Sequence, residues 1–322
     1  MRYLVTGGSG FIGSHIAELL LALPDADVVV LDNLSVGLRE NVPDAAVFVQ
    51  GDICDPLTVR QVMAGVDVVF HEAAFVSIRG SFTRLHDDFA TNGLGTLTVF
   101  EEAARANVRK VVFASSMAVY GNPATVVVSE QTPAAPNSPY GLSKLRGEMM
   151  LRMFAETHGF EAVALRYFNT FGTRQTPSDY VGVMTTFIRQ ALTGVPLTVY
   201  GDGNQTRDFI HVGDVARANV LAAADGVSGV FNVGTGIELS VNALAARVLD
   251  VVGGSVEHHP APPGEIPRIR ADIRLATNAL AFEPYGDLGQ LMPHVVAYWA
   301  DRLDVPRPAG VVSLYPAKRS VA

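Results

Sequence analysis

Short apolar runs alternate with longer segments of helical periodicity through the first half of the chain. The runs are RYLVT (2–6), DVVVLD (27–32), AVFVQ (46–50), VDVVFH (66–71), KVVFAS (110–115) and EAVALRYF (161–168). Strands that are apolar on both faces are typical of a parallel sheet covered by helices. FIGSHIAELLLAL (11–23), which follows the first run, has helical spacing. This alternation predicts an α/β fold with a doubly wound parallel sheet.

The pattern loosens after residue 169 into pieces rich in glycine and proline, such as YGDGNQTRD (200–208) and HHPAPPGEIPR (258–268). We therefore predict a first domain over residues 1–169, to which some later segments can return. A smaller α/β domain that binds the substrate is predicted over residues 170–304, followed by a C-terminal tail over residues 305–322.

The composition is that of an ordinary globular protein. The chain has 322 residues, of which 48% are hydrophobic and 17% are charged, and its net charge is −8 at pH 7. This acidic balance argues against a nucleic-acid partner, because phosphate binding relies on clustered lysine and arginine. Cys54 is the only cysteine, so we expect no internal disulfide, and we predict no metal site. Since we find no leader segment and no long apolar run, we expect a cytoplasmic protein with no membrane partner.

The first chemical signal is the stretch TGGSGFIG (6–13), which joins the first strand to the first helix. Gly7, Gly10 and Gly13 permit a tight turn, close approach of a pyrophosphate to the backbone, and close packing of helix on sheet. The helix N-terminus, with Phe11 and Ile12, offers unpaired N–H groups to the phosphates. This motif predicts a dinucleotide site, and a glycine-rich turn without a ligand is the alternative.

Asp32 strengthens the dinucleotide interpretation. It ends the second strand about 20 residues beyond the glycines, where a carboxylate accepts hydrogen bonds from both ribose hydroxyls and repels a 2′-phosphate. The predicted cofactor is therefore NAD rather than NADP. Asn33 lies next to Asp32 in this predicted site. Asp52 and its neighbour Ile53 follow the third strand and are candidates for contact with the adenine, although Asp52 can also be read as a loop carboxylate that is solvated.

The second signal combines ASSMAVYG (114–121) with NSPYGLSKLRGE (137–148). Ser138 is the expected N-cap of a helix, on which Tyr140 and Lys144, four residues apart, share one face. A tyrosine, with a usual pKa of about 10, becomes a base when an ammonium and a cationic nicotinamide favour its phenolate. Ser116 can bond the same substrate hydroxyl from the end of the neighbouring strand. A surface pair of tyrosine and lysine is the alternative.

The chain resembles the extended short-chain dehydrogenase/reductase family and, within it, nucleotide-sugar 4-epimerases of the UDP-glucose 4-epimerase type. The resemblance rests on VTGGSGFIGSH, DNLSVG, HEAAFVS, ASSMAVYG, SPYGLSKLRGE, RYFNTFGTRQTP, YGDGNQTRDFIHVGDV and FNVGTG, in this order over residues 1–300. It implies a Rossmann sheet and makes Ser116, Tyr140 and Lys144 the catalytic residues. Further cofactor contacts are implied for Ala73, Ala74, Asn92, Tyr167 and Phe168, besides Tyr140 and Lys144. Contacts with the sugar or the nucleotide diphosphate are implied for Ser77, Ser116, Tyr140, Asn169, Arg174, Arg207 and Glu265.

The resemblance also implies a reaction and its alternatives. The reaction is reversible oxidation at carbon 4 of a nucleotide sugar, with a UDP-hexose (glucose, N-acetylglucosamine or glucuronate) as the expected substrate. A dehydratase or decarboxylase would need a carboxylate after Ser116, where Met117 and Ala118 stand. Another NAD-dependent sugar oxidoreductase and a non-catalytic NAD-binding protein stay open. Relatives commonly form homodimers through helices near residues 85–105 and 140–156, so a homodimer is expected.

The fourth strand ends in two polar residues, His71 and Glu72. We expect them to have a structural role there. Relatives of this type usually carry an arginine two residues before the glycine of an R-x-G-D or R-x-G-E turn, where this chain has Pro262 in PPGE (262–265). One cationic contact with the diphosphate is therefore missing from the pattern.

Overall fold

The computed structural model describes residues 1–176, 182–261 and 266–312. Its strands are β1 (Arg2–Thr6), β2 (Asp27–Asp32), β3 (Val47–Gln50), β4 (Val68–His71), β5 (Lys110–Ser116), β6 (Val127–Val128), β7 (Glu161–Tyr167), β8 (Asn169–Phe171), β9 (Leu197–Tyr200), β10 (Thr206–Arg207), β11 (Phe209–His211), β12 (Gly229–Val233), β13 (Leu239–Ser240), β14 (Val256–His259) and β15 (Arg270–Ala271). Its α-helices are α1 (Phe11–Leu21), α2 (Pro56–Met63), α3 (Leu85–Asp88), α4 (Thr96–Arg105), α5 (Pro139–His158), α6 (Val183–Leu192), α7 (Val212–Ala222), α8 (Val241–Val252), α9 (Arg274–Leu280) and α10 (Leu288–Arg302).

The main sheet within the described residues has seven parallel strands in the order β12-β7-β5-β4-β1-β2-β3. The apolar runs predicted from the sequence form six of these strands, with ends that differ by no more than two residues. The doubly wound α/β fold is thereby confirmed. The seventh strand, β12, comes from the second half of the chain and pairs with β7 at the edge of the sheet.

Apolar side chains from both faces of this sheet form two cores. One packs against α1, α7 and α9, and the other packs against α2, α4 and α5. This two-sided burial explains why the strands are apolar at nearly every position. Because the strands are parallel, the carboxyl ends of β1, β4, β5 and β7 all lie at the same end of the sheet. The candidate site lies at this end.

A third core belongs to the second half of the chain, between α6, α8 and α10. The strand pair β8 and β11 connects this half to the main sheet. β8 follows β7 directly along the chain and pairs in parallel with β11. No helix in the described ranges combines the length and apolar character that crossing a bilayer requires.

Candidate active site

The end of β5 and the first turns of α5 bring three predicted side chains together. The Oγ atom of Ser116, the last residue of β5, accepts a hydrogen bond from the Ala118 amide at 3.1 Å. Tyr140 lies in the first turn of α5, and its phenol is near enough to Ser116 for that side chain to lower its pKa. Lys144 follows one turn later, with Nζ 5.8 Å from the centre of the Tyr140 ring. The three predicted catalytic residues thus form one cluster, and its members Tyr140 and Lys144 are both buried.

The protonation of this cluster depends on the burial of its groups as well as on their charges. Burial raises the pKa of the Tyr140 phenol above its usual value, the Ser116 side chain opposes this, and the charges of Asp88 and Glu72 add to it. Burial also lowers the pKa of Lys144 to about 8, against the charges of Glu72 and Asp88. Lys144 alone therefore does not make Tyr140 a phenolate, because burying the negative charge costs more free energy than the attraction between the phenolate and the Lys144 ammonium returns. A cationic ligand beside the ring is needed to lower the pKa of Tyr140 further.

Polar contacts that the sequence did not reveal hold the start of α5. Ser81 Oγ accepts a hydrogen bond from the backbone amide of Tyr140 at 3.2 Å. The buried carboxylate of Asp88 accepts hydrogen bonds from Ser143 Oγ at 2.7 Å and from Asn92 Nδ2 at 2.8 Å. Because Ser143 lies beside Lys144 on α5, these contacts fix the height and rotation of the helix that carries the candidate base.

A buried ion pair fixes α5 again, one turn beyond Lys144. Arg166 on β7 donates to both carboxylate oxygens of Glu148 at 2.8 and 2.7 Å, and Ser115 Oγ donates to Glu148 at 2.5 Å. Arg166 also donates to Tyr120 Oη at 3.0 Å. The two adjacent hydroxyls of ASSMAVYG therefore have different tasks: Ser115 anchors α5 to the sheet, and Ser116 faces Tyr140.

The glycine-rich loop between β1 and α1 has the shape that a dinucleotide requires. Gly7 has φ +70°, and a Cβ atom there would lie 2.6 Å from the Ala73 amide nitrogen. A Cβ atom on Gly13 would lie 2.4 Å from the Gly7 carbonyl oxygen. The N-cap residue Gly10 provides no side-chain acceptor for the first turn of α1, and Ser9 Oγ is buried without a partner among the described residues. The predicted Phe11 and Ile12 thus begin a helix whose N–H groups are available to a pyrophosphate.

The ends of β2 and β3 fit the adenosine half of NAD. The two carboxylate oxygens of Asp32 accept hydrogen bonds from the amides of Ser9 at 3.0 Å and Leu34 at 2.8 Å. Each oxygen has a further lone pair for a ribose hydroxyl. Asn33 Nδ2 donates to Asp52 Oδ2 at 2.8 Å, which connects the two strand ends beside the buried Ile53. The residues present therefore fit the predicted cofactor.

The segment after β4 lies between the glycine-rich loop after β1 and the cluster at the end of β5, because β4 is between these two strands in the sheet. Ala73 donates its amide to Thr6 Oγ1 at 3.3 Å, next to Ala74. Asn92, expected to contact the cofactor, accepts from the Phe75 amide and donates to its carbonyl oxygen, both at 2.9 Å. Ser77, expected in the substrate site, accepts the Gly80 amide at 2.7 Å. Asn92 and Ser77 thus shape this segment, and their ligand contacts stay predictions.

Two of the predicted substrate residues, Asn169 and Arg207, lie near the start of the paired strands β8 and β11, since Arg207 ends β10 two residues before β11. Asn169 begins β8 and is directly opposite Phe209 of β11, two residues after Arg207. Asp208, between them in sequence, accepts the amides of Thr235 and Gly236 at 2.8 and 2.9 Å and so anchors this corner. Asn169 Oδ1 is buried without a hydrogen-bond partner among the described residues. A buried amide oxygen of this kind is costly unless a ligand pairs with it.

The remaining predicted substrate residues lie elsewhere. Arg174 adopts φ +65° and pairs with Glu18 on α1, so its guanidinium contacts the helix that follows the glycine-rich loop. Glu265 and Pro262 lie outside the described residues. Among the residues described, no group of three or more histidine, cysteine or acidic side chains could hold a metal ion.

Known proteins match this chain over most or nearly all of its length. The model of the NAD dependent epimerase/dehydratase family matches residues 3–234. A UDP-glucose 4-epimerase of Mycolicibacterium smegmatis is 36% identical over 312 residues, which cover 94% of this chain and 99% of that relative. A dTDP-glucose 4,6-dehydratase of Streptomyces niveus is 34% identical over 316 residues, which cover 94% and 93%. The solved structure of the UDP-glucose 4-epimerase of Thermotoga maritima with UDP-glucose has a TM-score of 0.91 and 35% identity, and the match covers 94% of this chain and all of that one.

Proposed function

Because the chain belongs to the NAD dependent epimerase/dehydratase family, we propose that it is a nucleotide-sugar 4-epimerase acting on a UDP-hexose. The family's use of NAD confirms the cofactor predicted from the glycine-rich loop and Asp32. The UDP-hexose substrate is supported by the similarity to the Thermotoga maritima enzyme, whose structure contains UDP-glucose.

The cluster at the end of β5 can move the protons that this reaction needs. Tyr140 removes the proton of the 4-hydroxyl, and Ser116 Oγ holds the same hydroxyl in line. NAD held by the glycine-rich loop and Asp32 would supply a reversible hydride acceptor for carbon 4, from which the hydride could be returned to the opposite face of the 4-keto sugar. Tyr140 then gives its proton back to the oxygen on carbon 4. Lys144 places a positive charge beside the phenolate in a buried site, where charge interactions are strong.

The observation that carries the choice of an epimerase is the pair of residues after Ser116. Met117 and Ala118 are both buried, at 8% and 5% exposure, in a short 3-10 helix. Neither side chain can transfer a proton. Eliminating water across carbons 5 and 6 needs an acid and a base in addition to Tyr140, whereas 4-epimerisation needs neither. Similarity alone does not choose, since a dehydratase relative is nearly as similar as the epimerases.

The proposal is tested by incubating the purified chain separately with UDP-glucose, UDP-N-acetylglucosamine and UDP-glucuronate. We expect at least one of them to give its 4-epimer, detected by the anomeric proton in NMR spectra, and the same mixture to form from the epimer. A 6-deoxy-4-keto product would establish the dehydratase alternative. Absence of product from all three sugars would contradict the proposed substrate class.

We also propose a homodimer, supported by exposed apolar side chains on the two helical segments named from the sequence. Phe89 and Leu94 are 54% and 52% exposed on the π-helical segment Phe89–Gly95 between α3 and α4. Leu142 and Met149 are 60% and 58% exposed on α5, which packs against α4. We expect light scattering to give twice the chain mass of 34.3 kDa. Leu142→Glu should shift the mass towards the monomer. Val195→Glu, at a position that is 50% exposed between α6 and β9, should not. A monomeric wild-type chain would contradict the proposal.

A further inference from the structure

Glu72, at the carboxyl end of β4, takes part in a hydrogen-bond chain that reaches across the sheet. Tyr167 Oη donates to Glu72 Oε1 at 2.8 Å, and Asn219 Nδ2 on α7 donates to Tyr167 Oη at 2.8 Å. Tyr167 and Asn219 are buried, at 8% and 0% exposure. Glu72 forms no ion pair with any residue in the described ranges. This carboxyl group is therefore held in one orientation by a neutral donor, without a cation to neutralise it directly.

The charged groups around Glu72 come from three elements. His71 precedes it on β4 and is directly opposite Phe113 of β5, and Lys144 Nζ on α5 donates a hydrogen bond at 2.8 Å to the carbonyl oxygen of Ala114, the next residue of β5. Tyr167, which donates to Glu72, is directly opposite Ser116 on β5. Tyr140 on α5 and Asp88 on α3 complete the set of charged and titratable groups that the described residues place around this end of β4. Burial, together with the charge of Lys144, lowers the pKa of His71 to about 3, so His71 is neutral at physiological pH. The charges that respond to pH near neutrality are therefore those of Glu72 and Lys144.

Burial affects these two groups in opposite directions. It raises the pKa of Glu72 to about 7, although the Tyr167 hydrogen bond and the charge of Lys144 act against this. It lowers the pKa of Lys144 to about 8. In turn, a charged Glu72 raises the pKa of both Lys144 and Tyr140. Whether Glu72 carries a proton thus changes the two groups on which the reaction depends.

We propose that Glu72 is a positioning residue that acts through its charge. This charge sets the protonation states of Lys144 and Tyr140. When Glu72 is ionised, a phenolate on Tyr140 has to form near two carboxylates, those of Glu72 and Asp88. When Glu72 is neutral, only Asp88 opposes the phenolate. The effect on Lys144 belongs to the protein alone, and only the effect on catalysis rests on the proposed function.

The test uses Glu72→Gln, which removes the charge and keeps an acceptor for the Tyr167 hydroxyl. The chain has only three lysines, Lys110, Lys144 and Lys318, so the ε-carbon signal of Lys144 can be followed by NMR in protein labelled with ¹³C-lysine and assigned with Lys144→Arg. We expect Lys144 to titrate at about pH 8 in the wild-type protein and at a lower pH in Glu72→Gln. Glu101→Gln, a surface change on α4, should leave the titration unchanged.

The same variants report on catalysis. The acid limb of the kcat/KM profile should move to lower pH in Glu72→Gln by about 1 to 3 units, the usual effect of one nearby charge, and should stay in place in Glu101→Gln. An unchanged Lys144 titration in Glu72→Gln would overturn the proposal whether or not the protein is active. A shifted titration with an unmoved acid limb would overturn its link to Tyr140. If no sugar is converted but the titration shifts, the proposed function fails and the control of Lys144 by Glu72 stands.

Discussion

Tyr140→Phe is expected to lower turnover by about 10² or more, the usual loss when a positioned acid or base is removed. Phenylalanine keeps the buried ring, which is 7% exposed, and removes only the hydroxyl group, whose pKa Ser116 influences. The fold and the amount of NAD bound should therefore be unchanged. The measurements are the initial rate of 4-epimer formation and the nicotinamide nucleotide released by heating the dialysed protein.

Tyr285→Phe is the matched control for this prediction. Tyr285 is 80% exposed and lies outside the candidate site, so the loss of its hydroxyl should leave turnover at the wild-type level. Turnover close to wild type in a folded Tyr140→Phe variant would remove Tyr140 from the mechanism.

Glu148→Ala is expected to destabilise the protein by about 3 to 5 kcal/mol, the usual result of removing one partner of a buried ion pair. The change leaves the guanidinium of Arg166, a residue that is 6% exposed, without its counter-charge. It also removes the acceptor of Ser115, so α5 loses its anchor to β5 and β7. The measurement is the free energy of unfolding from urea denaturation.

The same helix offers a control for this prediction. Glu156 on α5 is 73% exposed and pairs with Arg152 at 4.0 Å, and an exposed pair contributes about 1 kcal/mol or less. Glu156→Ala should therefore change the free energy of unfolding little. Similar small losses in both variants would mean that the buried pair does not anchor the helix.

The main sheet could be predicted from the sequence because its central strands are buried on both faces. In β1, β4 and β5 nearly every side chain enters a core, so the apolar run and the strand have almost the same ends. The edge strand β12 escaped this reasoning. Its first residue, Gly229, is exposed and Val230 is only partly buried, so GVFNV has too short an apolar pattern to be distinguished from the glycine-rich sequence around it.

The candidate site divides in the same way. The glycine-rich loop and the Tyr140–Lys144 pair could be predicted because each is encoded within a few residues of sequence, by turn geometry or by helical spacing. Ser81 and Asp88 could not, since they contact α5 from positions 59 and 55 residues away and no periodicity records such a contact. Glu72 is a similar case: its neighbours indicate the end of a strand, and only the fold reveals the charges of α5 beside it.

The protonation of Tyr140 required the structure for another reason. Sequence spacing places Lys144 one turn away, which suggests an ammonium that favours the phenolate. The degree of burial decides the balance, and here burial raises the pKa of Tyr140 and lowers that of Lys144. Burial of a particular side chain depends on the packing of segments that are distant in sequence, so it cannot be read from a motif.

The most direct measurement is the reaction of the purified chain in deuterium oxide with the UDP-hexose that it is proposed to epimerise, followed by NMR. If the hydride leaves carbon 4 and returns to it within the closed site, the product is a 4-epimer with no solvent deuterium at carbons 3, 4 or 5 and with its 6-substituent intact. This is the predicted result, because neither Met117 nor Ala118 can exchange a proton with the sugar. Deuterium at carbon 5, or a 6-deoxy-4-keto product, would contradict it and would mean that another carboxylate serves this site.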